Sequence, residues 1–153
     1  VTGAADTELA DVVARLRRAM RRAARAADPG NPLSVAQLEL LSCLAENPGA
    51  QPSRLARVLN LAPNSVTTLV NGLRTRGLVT GTSGDDRRTV HLNLTATGED
   101  AVRRWQSANA GILGAALADL HPGWQHLLTA ALPALRELID AIDRQATPPG
   151  QAG

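Results

Sequence analysis

The sequence predicts a mainly α fold that carries one small β-hairpin, an α+β arrangement. Three observations carry this. Apolar residues recur at spacings of three and four over most of the chain, the period of a helix that faces a core. Between residues 78 and 94 the period drops to two, with Val90, Leu92 and Leu94 alternating against Thr89, His91 and Asn93. Breaks rich in Pro and Gly at 28–32, 48–49, 77 and 121–123 cut the helical stretches into pieces.

Each element has a local reason. A first helix is expected over 6–27, where Leu9, Val12, Val13, Leu16 and Met20 form the stripe and Asp6 or Thr7 stands at the start. "DPGNP" at 28–32 ends it, and Ser34 opens a second helix that Pro48 and Gly49 stop. A short helix over 52–59 begins with Pro52. The link "NLAP" joins it to an amphipathic helix over 63–76, whose inner stripe is Val66, Leu69, Val70 and Leu73. Gly77 stands where a left-handed cap belongs. Strands are expected at 78–82 and 89–94, around the turn "SGDDRR". Thr95 or Thr97 caps a long helix to about Leu120, with Glu99 and Asp100 in its first turn, where negative charge is favoured. "HPG" at 121–123 breaks it. A last helix is expected from Trp124 to Arg144, kinked at Pro133, which has no N–H to give to Thr129. The tail 147–153 is expected to be disordered.

Composition narrows the function. The chain has 153 residues, 44% hydrophobic and 20% charged, enough for a real core. No apolar run approaches the roughly 18 residues of a membrane helix. Asp6, Glu8 and Asp11 interrupt any leader-like stretch, so no membrane partner and a cytoplasmic location are expected. The one cysteine, Cys43, excludes an internal disulfide, and His91, His121 and His126 lack metal-ligand spacing; no metal or cofactor is expected. Neither a Ser-His-Asp order in a plausible context, a phosphate-cradling Gly loop nor a paired-carboxylate cleft is found, so the chain does not read as an enzyme. There is no Phe or Tyr, and all sixteen basic residues are Arg. Net charge is +2, but residues 51–104 hold +4, against 0 in 1–50 and −2 in 105–153. A positive field in the middle third is where a nucleic-acid footprint is sought.

That middle third has the plan of a helix-turn-helix followed by a hairpin. Two short helices that cross need a small residue at the crossing, Ala56, and a residue tolerant of positive φ at the turn, Asn60. Leu55, Leu59, Leu61, Val66 and Leu69 would close the crossing. The second helix then turns Asn64, Ser65, Thr67, Thr68, Asn71 and Arg74 outward, short polar groups that reach base edges and phosphates in a major groove. Ser53 and Arg54, opening the preceding helix, join the same candidate surface. At the hairpin tip, Arg88 is placed to enter a minor groove, Asp86 to hold its guanidinium, and Arg87 to meet phosphate.

The stretch "NGLRTRGLVTGTSGDDRRTVHLNLTATGED" resembles the wing signature of MarR-type winged helix-turn-helix regulators. The pattern is an Asp-x-Arg in the wing, a strand ending Leu-Thr, and a Gly three residues on: here Asp86, Arg88, Leu94, Thr95 and Gly98. Ser83, Ala62 and Thr68 stand where the family often has an acid, a polar cap and an Arg. The resemblance implies a winged helix-turn-helix domain over 34–95 and a helical dimerisation region over 6–27 and 96–146. It implies a homodimeric regulator, most often a repressor, that binds double-stranded DNA at a pseudo-palindromic operator. Leu9, Val12, Val13, Leu16, Trp124, Leu128, Leu132, Leu135, Leu138, Ile139 and Ile142 would build the dimer. Family members commonly answer to a small ligand. Arg18 and Arg22 of the first helix, with Trp105, are candidates to line a cleft for an anionic or aromatic effector. Two alternatives stand beside this reading: a winged-helix module for protein partners without DNA, and a thiol redox switch at Cys43.

Overall fold

The computed structural model describes residues 2–86 and 89–146. Their order is α1 (Thr2–Ala27), α2 (Val35–Glu46), α3 (Pro52–Leu59), α4 (Pro63–Thr75), β1 (Val79–Ser83), β2 (Val90–Leu94), α5 (Ala96–Ala118), α6 (Pro122–Ala130) and α7 (Leu132–Ala146). The chain divides into two compact units, Val1–Ile112 and Leu113–Gly153.

In the first unit the core gathers Leu38, Leu40, Leu41 and Leu44 of α2 with Leu55 and Ala56 of α3 and Val66, Val70 and Leu73 of α4. Leu78, Val79 and Leu92 close it from the hairpin, and Ala101 and Val102 of α5 belong to the same cluster. Ser34 starts α2 with a full capping box. Its hydroxyl accepts from the Gln37 N–H at 3.1 Å, and the Gln37 side chain accepts from the Ser34 N–H at 3.0 Å.

Three turns among the described residues hold a left-handed residue, Gly49, Asn60 and Gly77, and the last two are those expected from sequence. Asn60 has φ 51°, and beyond it the Leu61 N–H reaches back to the Ala56 carbonyl at 2.9 Å. Gly77 has φ 73°, and the Leu78 N–H reaches the Leu73 carbonyl at 3.0 Å. Ala56 is buried at the crossing as its size requires, but Leu61 stays more than a third exposed, so it closes that crossing only in part.

β1 and β2 pair antiparallel with Val79 opposite Leu94 and Ser83 opposite Val90. Leu92 is buried, while Val90 and Leu94 are half-buried against the core. β2 has a neighbour on its other edge too. The Gly49 N–H donates to Leu92 O at 2.9 Å, and the Leu92 N–H to Ala50 O at 3.0 Å. Thr95 then caps α5: its hydroxyl accepts from the Gly98 N–H at 3.1 Å and donates to Gly77 O at 2.6 Å.

Several boundaries differ from the expected ones. α1 begins at Thr2, four residues before the expected start, and Thr7 is not its cap. The Thr7 hydroxyl donates to Gly3 O at 2.7 Å, the back-bond of a residue inside a helix. β1 is shifted by one residue, because Leu78 serves the turn after α4, and β2 begins one residue late, at Val90, while ending at Leu94 as expected.

In the second unit, the expected single kinked helix is two helices. The chain leaves α6 at Ala131 and restarts at Leu132, so Pro133 falls in a first turn, where its missing N–H has no partner to lose. α6 itself starts at Pro122, capped by the His121 ring, which accepts from the Gly123 N–H at 3.1 Å. No residue of α6 or α7 is buried. The expected disorder of 147–153 lies outside the described residues.

Candidate nucleic-acid interface

The α3–α4 pair and the hairpin present one polar, cationic surface. On α4, Asn64, Ser65, Thr67, Thr68, Asn71 and Arg74 are all exposed. The inner stripe fixes this: Val66, Val70 and Leu73 are buried at helical spacing, which turns the remaining positions to solvent. Two hydroxyls are already used inside the helix, Thr67 donating to Pro63 O and Thr68 to Asn64 O, each at 3.0 Å. Their oxygens still accept. Ala62 caps α4 without a side-chain bond.

Ser53 and Arg54 are exposed at the start of α3. Arg54 is held rather than free. Its Nε and Nη2 donate to Asn47 Oδ1 at 3.3 and 3.1 Å, and Asn47 Nδ2 in turn donates to Cys43 O at 2.9 Å. This places Arg54 with Ser53, Arg57, Gln51 and His91 around an open cleft of about 450 Å³. His91 was expected simply to face out. Its Nδ1 instead pairs with Gly49 O at 3.0 Å, so the ring braces β2 against the loop before α3. Arg57 was not singled out from sequence, although its spacing of three from Arg54 carried the signal.

Asp86 closes the described part of the wing turn, its carbonyl accepting from the Thr89 N–H at 2.9 Å. Arg87 and Arg88 lie outside the described residues, so the expected Asp86–Arg88 pairing does too. Among the described residues, ion pairs join Arg15 to Asp11, Arg21 to Glu39 and Arg103 to Asp100; none involves Arg57, Arg74 or Arg76.

The candidate effector residues are not brought together as a set. Trp105 is half-buried and lines a cleft of about 410 Å³ with Arg25, Asp28, Arg76, Leu78 and Arg104. Arg18 and Arg22 line a different, shallower depression along α1 with Val12 and Leu16. The first helix does contribute an arginine beside Trp105, but it is Arg25. Cys43 is buried, and burial pushes its thiol above the ordinary value; Glu46 adds to this and Arg54 opposes it. A thiol so placed resists forming the reactive thiolate.

A crossed helix pair, a polar outward helix and a hairpin flanking it define a winged helix-turn-helix protein. Residues 31–89 match the MarR family. The matched stretch runs from just before α2 to just past β1, less than half of the chain. It is 26% identical over 136 residues to an uncharacterised HTH-type transcriptional regulator of Mycobacterium bovis, covering 88% of this chain and 95% of that one. A Thauera aromatica protein, named as a candidate regulatory protein for the hcr operon, is 36% identical over 70 residues. That match spans 45% of this chain and less than half, 42%, of the relative. Among solved structures, FabT of Streptococcus pneumoniae in complex with DNA superposes with a TM-score of 0.69 at 17% identity, covering 89% of this chain and 98% of FabT. The Mycobacterium tuberculosis MarR family protein Rv2887, in complex with salicylic acid, gives 0.65 at 23%, covering 81% and 93%. No helix among the described residues is long and apolar enough to cross a membrane.

Proposed function

We propose that the chain is a homodimeric, sequence-specific DNA-binding repressor whose grip on its operator is released by a small anionic or aromatic molecule. The observation that carries the reading is the α4 face: six exposed polar residues on a helix whose opposite side is locked into the core. Ser53, Arg54, Asn64, Ser65, Thr67, Thr68, Asn71 and Arg74 are the proposed contacts, and Asp86, Arg87 and Arg88 the proposed wing contacts. The solved FabT complex with DNA, which shares the fold, supports the same reading.

Dimer formation is supported by apolar surface that the chain leaves uncovered. Leu9, Val12, Val13 and Leu16 of α1 are each about half exposed, and so is the stripe Trp124, Leu128, Leu132, Leu135, Leu138, Ile139 and Ile142. We assign the helical region 6–27 with 96–146 to the dimer and 34–95 to the reader. A two-fold dimer sets two recognition helices about 34 Å apart and requires an inverted repeat. The Trp105 cleft, with three arginines around an indole, suits an aromatic carboxylate. Release then requires that the ligand favour one spacing of the recognition helices over another.

Selection of bound sequences from random duplexes, read beside the protein's mass in solution, tests the reading. Enrichment of an inverted repeat by a dimer is expected. Affinity should fall by about 10³–10⁵ between roughly 50 and 200 mM salt if six to ten phosphates are contacted. A protein that binds no duplex at low salt overturns it.

A further inference from the structure

β1 contains a glycine at its centre, Gly81, opposite Leu92. Glycine weakens a strand interior and is retained there for a reason, either a positive φ or a close approach. Gly81 has no positive φ; among the described glycines only Gly49 and Gly77 do. The reason is space. A Cβ at 81 would lie 3.0 Å from Val90 Cγ1 and 3.4 Å from both Cζ and Nη1 of Arg74. The guanidinium of Arg74, from the last turn of α4, thus lies against β1 at this glycine, within van der Waals reach of the point where a Cβ would stand. It makes no ion pair among the described residues, and the strand at Gly81 is a neighbour it does touch. A planar, weakly hydrated guanidinium packs well on a peptide plane and keeps its N–H fork free.

We propose that Arg74 is a positioning residue for the wing: seated on Gly81, it locks the end of the recognition helix to β1, so that helix and wing meet a duplex at one fixed separation. Gly81 is then the residue that makes the seat. Two consequences separate this role from that of a simple phosphate contact. First, filling the seat without touching Arg74 produces the same defect as removing Arg74. Second, the two changes do not add. The proposal about DNA rests on the function proposed above; the coupling of helix to wing does not.

The test uses Arg74→Ala, Gly81→Val and the double variant of the full-length protein. Valine suits a strand and Gly81 has no positive φ, and the branches beyond its Cβ would crowd both Val90 and the guanidinium, which is the displacement the test requires. Without DNA, hydrogen exchange of amides 79–83 should rise about tenfold in Arg74→Ala and in Gly81→Val, with α2 amides unchanged. On the selected duplex each single variant should lose about tenfold in affinity and the double variant about tenfold as well, not a hundredfold. Gly81→Val should lower affinity with no change in salt slope, since no cation is removed, whereas a lost phosphate contact lowers the slope by about one. Additive losses, or wild-type affinity in Gly81→Val, overturn the proposal. Unchanged wing exchange in both single variants overturns it even where no duplex binds, an outcome that would separately end the proposed function.

Discussion

A Cβ at Gly98 would strike the carbonyl oxygen of Leu78, the oxygen that also accepts from the Thr95 N–H at 3.1 Å. The contact is with backbone, so it cannot be relieved by a side chain swinging away. Gly98→Ala should therefore cost about 3 kcal/mol or more, as overpacking against a fixed atom does, and urea denaturation measures it. Cys43 allows a second prediction at this scale. A thiol held above its ordinary value by burial stays protonated when the unfolded chain has already lost its proton. Its contribution to stability is present below the unfolded value and fades as pH rises through the folded one. Labelling by a thiol reagent near neutral pH should accordingly be far slower in the folded protein than in urea, and peroxide should leave Cys43→Ser and the parent protein indistinguishable. Equal labelling rates in both states would restore the redox alternative. Gly98 was legible as part of a wing pattern, but its reason was not: the approach to Leu78 joins residues twenty apart in sequence.

At the scale of elements, propensity and punctuation were read correctly where they act locally. Asn60 and Gly77 declared two of the three left-handed turns, Ser34 a cap, and the alternation Val90, Leu92, Leu94 a strand with one face on the core. Asn60→Val should destabilise by about 1–2 kcal/mol, because a β-branched residue resists positive φ, while Asn60→Gly should be nearly neutral. Thermal melting of the two variants compares them directly. Where the reading went astray, a residue had two possible uses. Pro133 signalled a disturbance, and sequence alone did not say whether a helix bends there or stops; the chain stops and restarts, which spares the lost hydrogen bond. Thr7 offered a hydroxyl for a cap and spends it inside the helix. His91 looked like a solvent-facing member of an alternating strand and is tied to Gly49 O. Pairing of Gly49 and Ala50 with β2 has no local signal, since it depends on a tertiary approach.

For the whole molecule, exposed apolar surface is the quantity to reckon with. Burying a Leu or Ile side chain is worth roughly 1.5–3 kcal/mol. No residue of α6 or α7 is fully buried and their apolar stripe stays about half exposed, so a partner that covered it would add stabilisation of this kind. Ile139→Asp and Val12→Asp, both at positions more than half exposed in the single chain, should leave the helix-turn-helix core intact. Sedimentation should nonetheless show a shift towards monomer, and operator affinity should fall with it. A dimer of unchanged mass in both variants would remove the assignment of these stripes. The exposed apolar stripes were legible from periodicity; the lining of the Trp105 cleft was less so, because Arg18, Arg22 and Arg25 share one helix and only its rotation decides which of them meets Trp105.

The bonds from Gly49 and Ala50 make β2 an inner strand rather than an outer one, gripped by β1 on one flank and by the turn before α3 on the other. Tilting β2 away from that loop would break two main-chain bonds with the segment that leads into α3, so β2 is the anchored half of the hairpin, while β1 is held on its other side through α4. If the chain grips a duplex as proposed above, a change that frees it has to shift this anchored strand together with the helices it is tied to, and not the strand alone.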